Sequence, residues 1–76
     1  MTSGGRRLRG LLPDRVIRAF HRAGYRTSRV SGSHYVLKHD ERPTVIIPRH
    51  NPVKTGLLID QVHSAGLTIE EFEELL

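Results

Sequence analysis

The sequence contains no cysteine and no long apolar run, and these two absences exclude several classes of protein. Without cysteine, neither disulfide bonds nor a thiolate metal site can hold the fold, and nothing indicates an oxidising compartment. Apolar runs such as Val45-Ile46-Ile47 are far shorter than the ~20 residues of a membrane span. No apolar segment follows the basic residues at the start, as it would in a secretory signal. We therefore expect a cytoplasmic protein without a membrane partner.

The length of the chain allows one small domain. At 76 residues it is near the size at which a single apolar core is only just sufficient, so there is no room for a separate catalytic module. We interpret residues 1–12 as a basic flexible leader and residues 13–76 as one domain. Any activity must therefore be carried by that single unit.

Positive charge is absent from the last part of the chain. All 12 Lys and Arg residues precede residue 55, whereas most of the 8 Asp and Glu residues follow it. A basic segment of this density suits a polyanion, because Lys and Arg gain affinity by displacing counterions from phosphates. The same pattern is compatible with an ordinary solvated basic surface, so it favours nucleic acid without establishing it.

Apolar residues at spacings of three and four predict a first helix that opens at Pro13 and ends at Gly24. Its apolar stripe consists of Leu12, Val16, Ala19, Phe20 and Ala23. Three strands are predicted to follow, at residues 25–30, 34–39 and 44–47. Along the second of them, Tyr35 and Leu37 face one side and His34, Val36 and Lys38 the other.

Two helices complete the predicted fold. Residues 55–65 repeat at helical spacing and stop at Gly66, and Thr68 with Glu71 forms a capping box before a short last helix. The order α-β-β-β-α-α predicts an α+β fold, with a three-stranded antiparallel sheet covered by helices on one face, as in double-stranded-RNA-binding domains. The other face of the sheet is then open to solvent or to a partner.

The short run Gly32-Ser33-His34-Tyr35 joins the first two strands. A Gly-Ser pair there is typical of a type II′ hairpin, in which the glycine supplies a positive φ. His34 then begins the second strand on the face opposite the core, so we expect it to be exposed. An exposed histidine suits phosphodiester chemistry, because the ordinary pKa of histidine is about 6.5. On the alternative interpretation, His34 is only a strand residue that follows a turn.

Two other arrangements around His34 are not favoured by the sequence. His34 and His39 are five residues apart on a strand and face opposite sides, so they cannot chelate a metal, and without cysteine we expect no metal site and no cofactor. Ser33 and His34 are neighbours, and adjacent strand residues point apart, so we do not expect a nucleophile–base pair.

A series of short segments is informative through its order and spacing. The segments are Ala23-Gly24-Tyr25, Gly32-Ser33-His34, residues 44–50 (TVIIPRH), Gly56-Leu57-Leu58, Ala65-Gly66-Leu67 and Glu70-Glu71-Phe72. Together they resemble the HicA toxins, also called the YcfA-like family, over roughly residues 13–76. Leu57 stands where many members have Thr, and Gln61 stands where an apolar residue is common.

The resemblance implies a small ribonuclease with a double-stranded-RNA-binding-like fold, which cleaves mRNA and blocks translation until a cognate HicB antitoxin binds it. The catalytic histidine of the family falls on His34. The expected partners are therefore mRNA and a HicB-like antitoxin protein.

Without a metal, RNA cleavage most simply uses the neighbouring 2′-hydroxyl as nucleophile, which needs a base and a proton donor for the leaving 5′-oxygen. We expect His34 to be the base. Arg49, His50 and Lys54, which follow the third strand, are the candidates to donate the proton or to stabilise the charge on the phosphate. The candidate RNA-binding residues are Gly32, Ser33, Lys38, Arg49, His50 and Lys54. The alternatives are a non-catalytic RNA-binding module with the same fold and, third, a DNA-binding or protein-interaction domain.

Overall fold

Three antiparallel strands form a sheet in the computed structural model, which describes residues 6–76 of the chain. The strands are β1 (Arg26–Val30), β2 (His34–Lys38) and β3 (Val45–Pro48), and β2 lies in the centre. The helices are α1 (Pro13–Arg22), α2 (Thr55–Ser64) and α3 (Ile69–Glu74), preceded by a short 3₁₀ helix (Arg6–Leu8). The predicted α+β class and the order α-β-β-β-α-α are confirmed.

The core lies between the sheet and the helices. Leu37 of β2 and Val45 of β3 pair across the sheet, and both are buried. From the helical side, the rings of Phe20 and Phe72 meet with their centroids 4.8 Å apart. Burying such a side chain fully is worth about 1.5–3 kcal/mol relative to leaving it exposed. The apolar layer therefore fixes which face of each strand is turned away from the helices.

Local sequence signals determine where α1 and α3 begin, and the structure confirms both starts. Pro13 is the first residue of α1, where its missing N–H costs nothing. At α3, the Thr68 hydroxyl oxygen accepts a hydrogen bond from the Glu71 N–H at 3.0 Å, and the Glu71 carboxylate accepts one from the Thr68 N–H at 2.8 Å. This confirms the capping box. No helix within residues 6–76 has the length and apolar character to cross a membrane.

Gly24 lets the chain leave α1 and enter the sheet. Its φ of 99° lies in the left-handed region, and a Cβ there would come within 2.7 Å of the His39 ring. The next residue, Tyr25, is buried and donates its hydroxyl hydrogen to the Pro43 carbonyl at 2.7 Å. Burial raises the pKa of Tyr25 above its ordinary value, and the charge of Arg42 opposes that rise. This end of the sheet is therefore held by contacts between the α1–β1 and β2–β3 connections.

The folded unit begins before residue 13, the start that the sequence predicts for the domain. Leu8 is completely buried and Leu11 nearly so, and the Leu11 carbonyl accepts a hydrogen bond from the Val53 N–H at 2.9 Å. The physical reason is that two leucines among arginines supply enough apolar surface to join the core. Residues 1–5 of the predicted leader lie outside the described residues.

The buried face of α1 differs from the predicted apolar stripe at Leu12 and Ile17. Leu12, predicted on the apolar stripe, has extended backbone angles at the helix N-cap and is 52% exposed. Because it precedes the first turn, it does not share the direction of the helical side chains. Ile17, which was not assigned to the stripe, is buried.

We predict that Leu8→Ala lowers the free energy of unfolding by about 2–5 kcal/mol, because it leaves a cavity in the core. The matched control Leu12→Ala removes the same atoms from an exposed position and should change stability by no more than ~0.5 kcal/mol. Urea titration followed by circular dichroism measures both values. Equal midpoints for the two variants would contradict the assignment of Leu8 to the core.

Candidate active site

The β1–β2 turn is closed by a serine side chain. The Ser31 hydroxyl oxygen accepts hydrogen bonds from the His34 N–H at 2.9 Å and, more weakly, from the Ser33 N–H at 3.4 Å. The Ser31 N–H also donates to the His34 carbonyl at 2.8 Å. A serine that satisfies backbone groups two and three residues ahead stabilises a turn by itself.

This arrangement corrects the turn type expected from the sequence. A type II′ turn needs a positive φ at Gly32, whereas the described glycines with positive φ are Gly10, Gly24 and Gly66. The hydrogen bonds to Ser31 close the turn, so Gly32 does not need to adopt the left-handed conformation. The space around Gly32 is open: within residues 6–76, a Cβ at this position would meet no atom within 4 Å other than those of its chain neighbours.

His34 is the first residue of β2 and is exposed, as expected. It pairs with Pro48 of β3, and the alternation of β2 turns it away from the core face that carries Leu37. Its backbone is fixed on both sides, by the β3 pairing and by the bonds to Ser31. The imidazole is thus presented at the end of the open sheet face.

Ser33 contacts His34, contrary to the expectation that the two side chains point apart. The Ser33 Oγ lies 2.8 Å from the His34 Nδ1, within hydrogen-bond distance. The alternation rule does not apply, because Ser33 belongs to the turn and only His34 belongs to the strand. The one signal that could have indicated this contact is the position of the serine one residue before the strand begins.

Arg49, which the sequence predicts as an RNA-binding residue, lies beside the turn. Its backbone N–H donates to the Ser33 carbonyl at 2.9 Å. Its guanidinium makes long contacts with the Ser31 and Gly32 carbonyls at 3.4 and 3.5 Å and lies 5.4 Å from the centroid of the Tyr35 ring. A guanidinium group therefore lies beside the turn that carries His34.

The remaining predicted residues are exposed but are not joined to the turn. Lys38 lies on the same face of β2 as His34, four residues along, which places it roughly 13 Å away at the usual rise of a strand. His50 and Lys54 lie in the connection between β3 and α2, and Lys54 is the N-cap residue of α2. Within residues 6–76, neither of their side chains forms a hydrogen bond with the turn.

A cleft of about 270 Å³ opens beside the turn. It is lined by Leu12, Pro13, Asp14, Tyr35, Arg49 and Asn51. Sequence reasoning did not select Asp14 or Asn51, because nothing local connects the start of α1 with the loop after β3. The volume of the cleft is nearly that of a small ligand pocket. Arg49 both lines the cleft and contacts the turn.

Several of the basic side chains remain exposed in the folded chain. Arg26 pairs with Asp40 at 3.0 Å, and Arg42 donates to the Ala65 carbonyl at 2.7 Å. Four others are exposed and form no such contact within residues 6–76: Arg15, Arg18, Arg29 and Lys38. Among residues 6–76, no three His, Asp or Glu side chains are grouped in a way that could hold a metal ion.

The comparisons with known proteins give one match. The family model described as HicA toxin of bacterial toxin–antitoxin matches residues 13–67. No match to this chain is found among curated proteins or among solved structures. The matched segment includes the turn, His34 and Arg49 and covers more than half of the chain. The chain therefore belongs to the HicA toxin family of bacterial toxin–antitoxin systems.

Proposed function

We propose that this protein is a metal-independent endoribonuclease that cleaves mRNA and blocks translation, with His34 as its general base. The observation that carries the proposal is the exposed imidazole of His34 on a braced turn beside Arg49, in a chain of the HicA family. A histidine is suited to this role, because it exchanges a proton near neutral pH.

The reaction that fits these groups is an internal displacement at phosphorus. His34 takes the proton of a ribose 2′-hydroxyl while that oxygen forms a bond to the adjacent phosphorus. The bond from phosphorus to the 5′-oxygen breaks, and that oxygen receives a proton from a donor. The products are a 2′,3′-cyclic phosphate and a free 5′-hydroxyl, so atoms and charge balance without an added reactant.

Arg49 is the best placed residue to stabilise the phosphate during this step. Its guanidinium lies at the turn, where its positive charge can offset the charge that develops on the phosphate oxygens. His50 and Lys54 follow it in the chain and are exposed. They are the further candidates for the proton donor. The proposed RNA-binding residues are these two together with Arg49, Gly32, Ser33 and Lys38.

The proposed partners are mRNA and a HicB-like antitoxin protein, which places the protein in the cytoplasm. The open sheet face supports both partners, because it combines the basic Lys38 and Arg29 with the exposed apolar Ile46. A protein that covers this face would exclude RNA from His34. The alternative function is a non-catalytic RNA-binding module, which the exposed arginines would serve equally well.

We predict that His34→Ala abolishes RNA cleavage and growth arrest and leaves folding and RNA binding largely intact. Removing a general base typically costs about 10²- to 10⁴-fold in rate, whereas an exposed side chain contributes at most ~0.5 kcal/mol to stability. Circular dichroism, RNA affinity and cleavage rate are measured together. The matched control is His63→Ala, since His63 is exposed on α2 and outside the site. A folded His34→Ala variant that still cleaves RNA would refute the assignment of His34 as the base, whereas a wild-type protein that binds RNA without cleaving it would favour the non-catalytic alternative.

We predict that cleavage persists in EDTA, because the proposed base is an imidazole and not a metal-bound water. The purified protein is incubated with mRNA in excess EDTA, next to a magnesium-dependent nuclease that shows that the chelator is effective. Loss of cleavage that Mg²⁺ or Mn²⁺ restores would refute the metal-independent mechanism.

We predict that RNA affinity falls steeply with salt, because the exposed arginines and lysines bind by releasing counterions from phosphates. If about four phosphates are contacted, raising the salt from roughly 50 to 200 mM should weaken binding by on the order of 10- to 100-fold. His34→Ala is used for the titration so that cleavage does not interfere. An affinity that does not change with salt would show that the basic surface is not the binding surface.

A further inference from the structure

The position of the Ser33 hydroxyl is determined by backbone contacts from two directions. The Ser33 carbonyl accepts a hydrogen bond from the Arg49 N–H at 2.9 Å, which ties the turn to the residue that follows β3. On the other side, the Ser33 N–H points to the Ser31 hydroxyl at 3.4 Å. The backbone of Ser33 is therefore held in place by the hairpin and by the residue that follows β3, independently of the contacts of its side chain.

The His34 ring needs such a partner because its backbone alone does not orient it. The ring is exposed, and within residues 6–76 the hydrogen bond to Ser33 Oγ at 2.8 Å is the polar contact of its side chain. Without this contact an exposed imidazole rotates about two side-chain bonds and presents either nitrogen to a substrate. A base that works on one defined proton needs one nitrogen turned towards it.

We propose that Ser33 is a positioning residue for His34. The Ser33 Oγ accepts a hydrogen bond from the His34 Nδ1–H, which leaves the lone pair of His34 Nε2 facing the open side of the sheet. This inference rests on the proposed function of His34 as a base. The distance between Ser33 Oγ and Nδ1 is compatible with a bond in either direction. Only the direction proposed here puts the hydrogen on Nδ1 and keeps Nε2 able to receive a proton.

The proton movements are consistent with this arrangement throughout the reaction. The 2′-hydroxyl proton moves to Nε2, and the Nδ1–H stays bonded to Ser33 Oγ. Both ring nitrogens are donors once the ring is protonated, so the serine oxygen remains a suitable acceptor. Ser33 keeps its own hydrogen and forms no covalent bond with the substrate.

Substitutions at Ser33 separate the hydroxyl from the rest of the residue. Ser33→Ala removes the acceptor and keeps the backbone, whereas Ser33→Thr keeps the hydroxyl. Threonine fits the backbone here, because no residue other than glycine has a positive φ within residues 6–76. Ser64→Ala is the matched control, since Ser64 is exposed at the end of α2, away from the turn.

The first measurement is the tautomer of His34 in ¹⁵N-labelled protein, read from multiple-bond ¹H–¹⁵N NMR spectra at a pH where the ring is neutral. We expect the hydrogen on Nδ1 in the wild type, in Ser33→Thr and in Ser64→Ala. In Ser33→Ala we expect a shift towards the Nε2–H form that free histidine prefers. A wild-type ring with its hydrogen on Nε2, or an unchanged tautomer in Ser33→Ala, would overturn the proposal.

The second measurement is single-turnover cleavage of an RNA substrate at saturating protein. Ser33→Ala should cleave roughly 10- to 100-fold more slowly, the range found when a hydrogen-bond partner that orients a metal-ligating histidine is removed. The protein concentration that gives half of the maximal rate should change little, and Ser33→Thr should restore most of the rate. A rate that falls in Ser33→Ala and is not restored by Ser33→Thr would indicate a different role for the residue.

The two measurements fail in different ways. If the wild-type protein cleaves no RNA, the proposed function fails, while the tautomer spectra still decide whether Ser33 orients the ring. If cleavage is present and the tautomer does not depend on Ser33, the positioning role fails and the function of His34 stands.

Discussion

The register of the central strand β2 determines both the core and the site. Leu37 is buried against the helices and pairs with Val45, and a period of two along the strand then turns His34 to the opposite face. A slip by one residue would bury the histidine and expose the leucine, which the loss of apolar burial forbids. The position of His34 is therefore a consequence of the same apolar contacts that hold the sheet to the helices.

The two edge strands of this small sheet, β1 and β3, are protected from pairing with further strands in different ways. On β3, the half-buried Gln61 of α2 accepts a hydrogen bond from the Ile46 N–H at 3.0 Å, so a side chain occupies part of the free edge. This contact gives Gln61 a physical role at the edge of the sheet. On β1, all five residues are exposed, and the pairing with β2 is irregular between Thr27 and Arg29. Charge and a local irregularity both discourage the addition of another strand.

The elements of the fold could be predicted from the sequence, because each carries its own local signal. Pro13 marks the start of α1, alternation marks β2, and the Thr68 capping box marks α3. What could not be predicted depends on contacts between distant segments or on turn geometry. The burial of Leu8 depends on the packing of residues far along the chain, and the contact of Ser33 with His34 depends on a turn that Ser31 closes without a positive φ at Gly32. The cleft that joins Asp14 to Asn51 is likewise visible only once the chain has folded.

Stability and the site rest on different interactions in this chain. The core is apolar, whereas the turn around His34 is exposed and is held by hydrogen bonds from Ser31 and Arg49. Such bonds each contribute only about 0.5–1.5 kcal/mol, so most of the free energy of folding does not depend on them. Side chains at the site can therefore be selected for their chemistry with little effect on stability. For the same reason, a protein bound to the open sheet face would cover His34 while leaving the apolar contacts of the core unchanged.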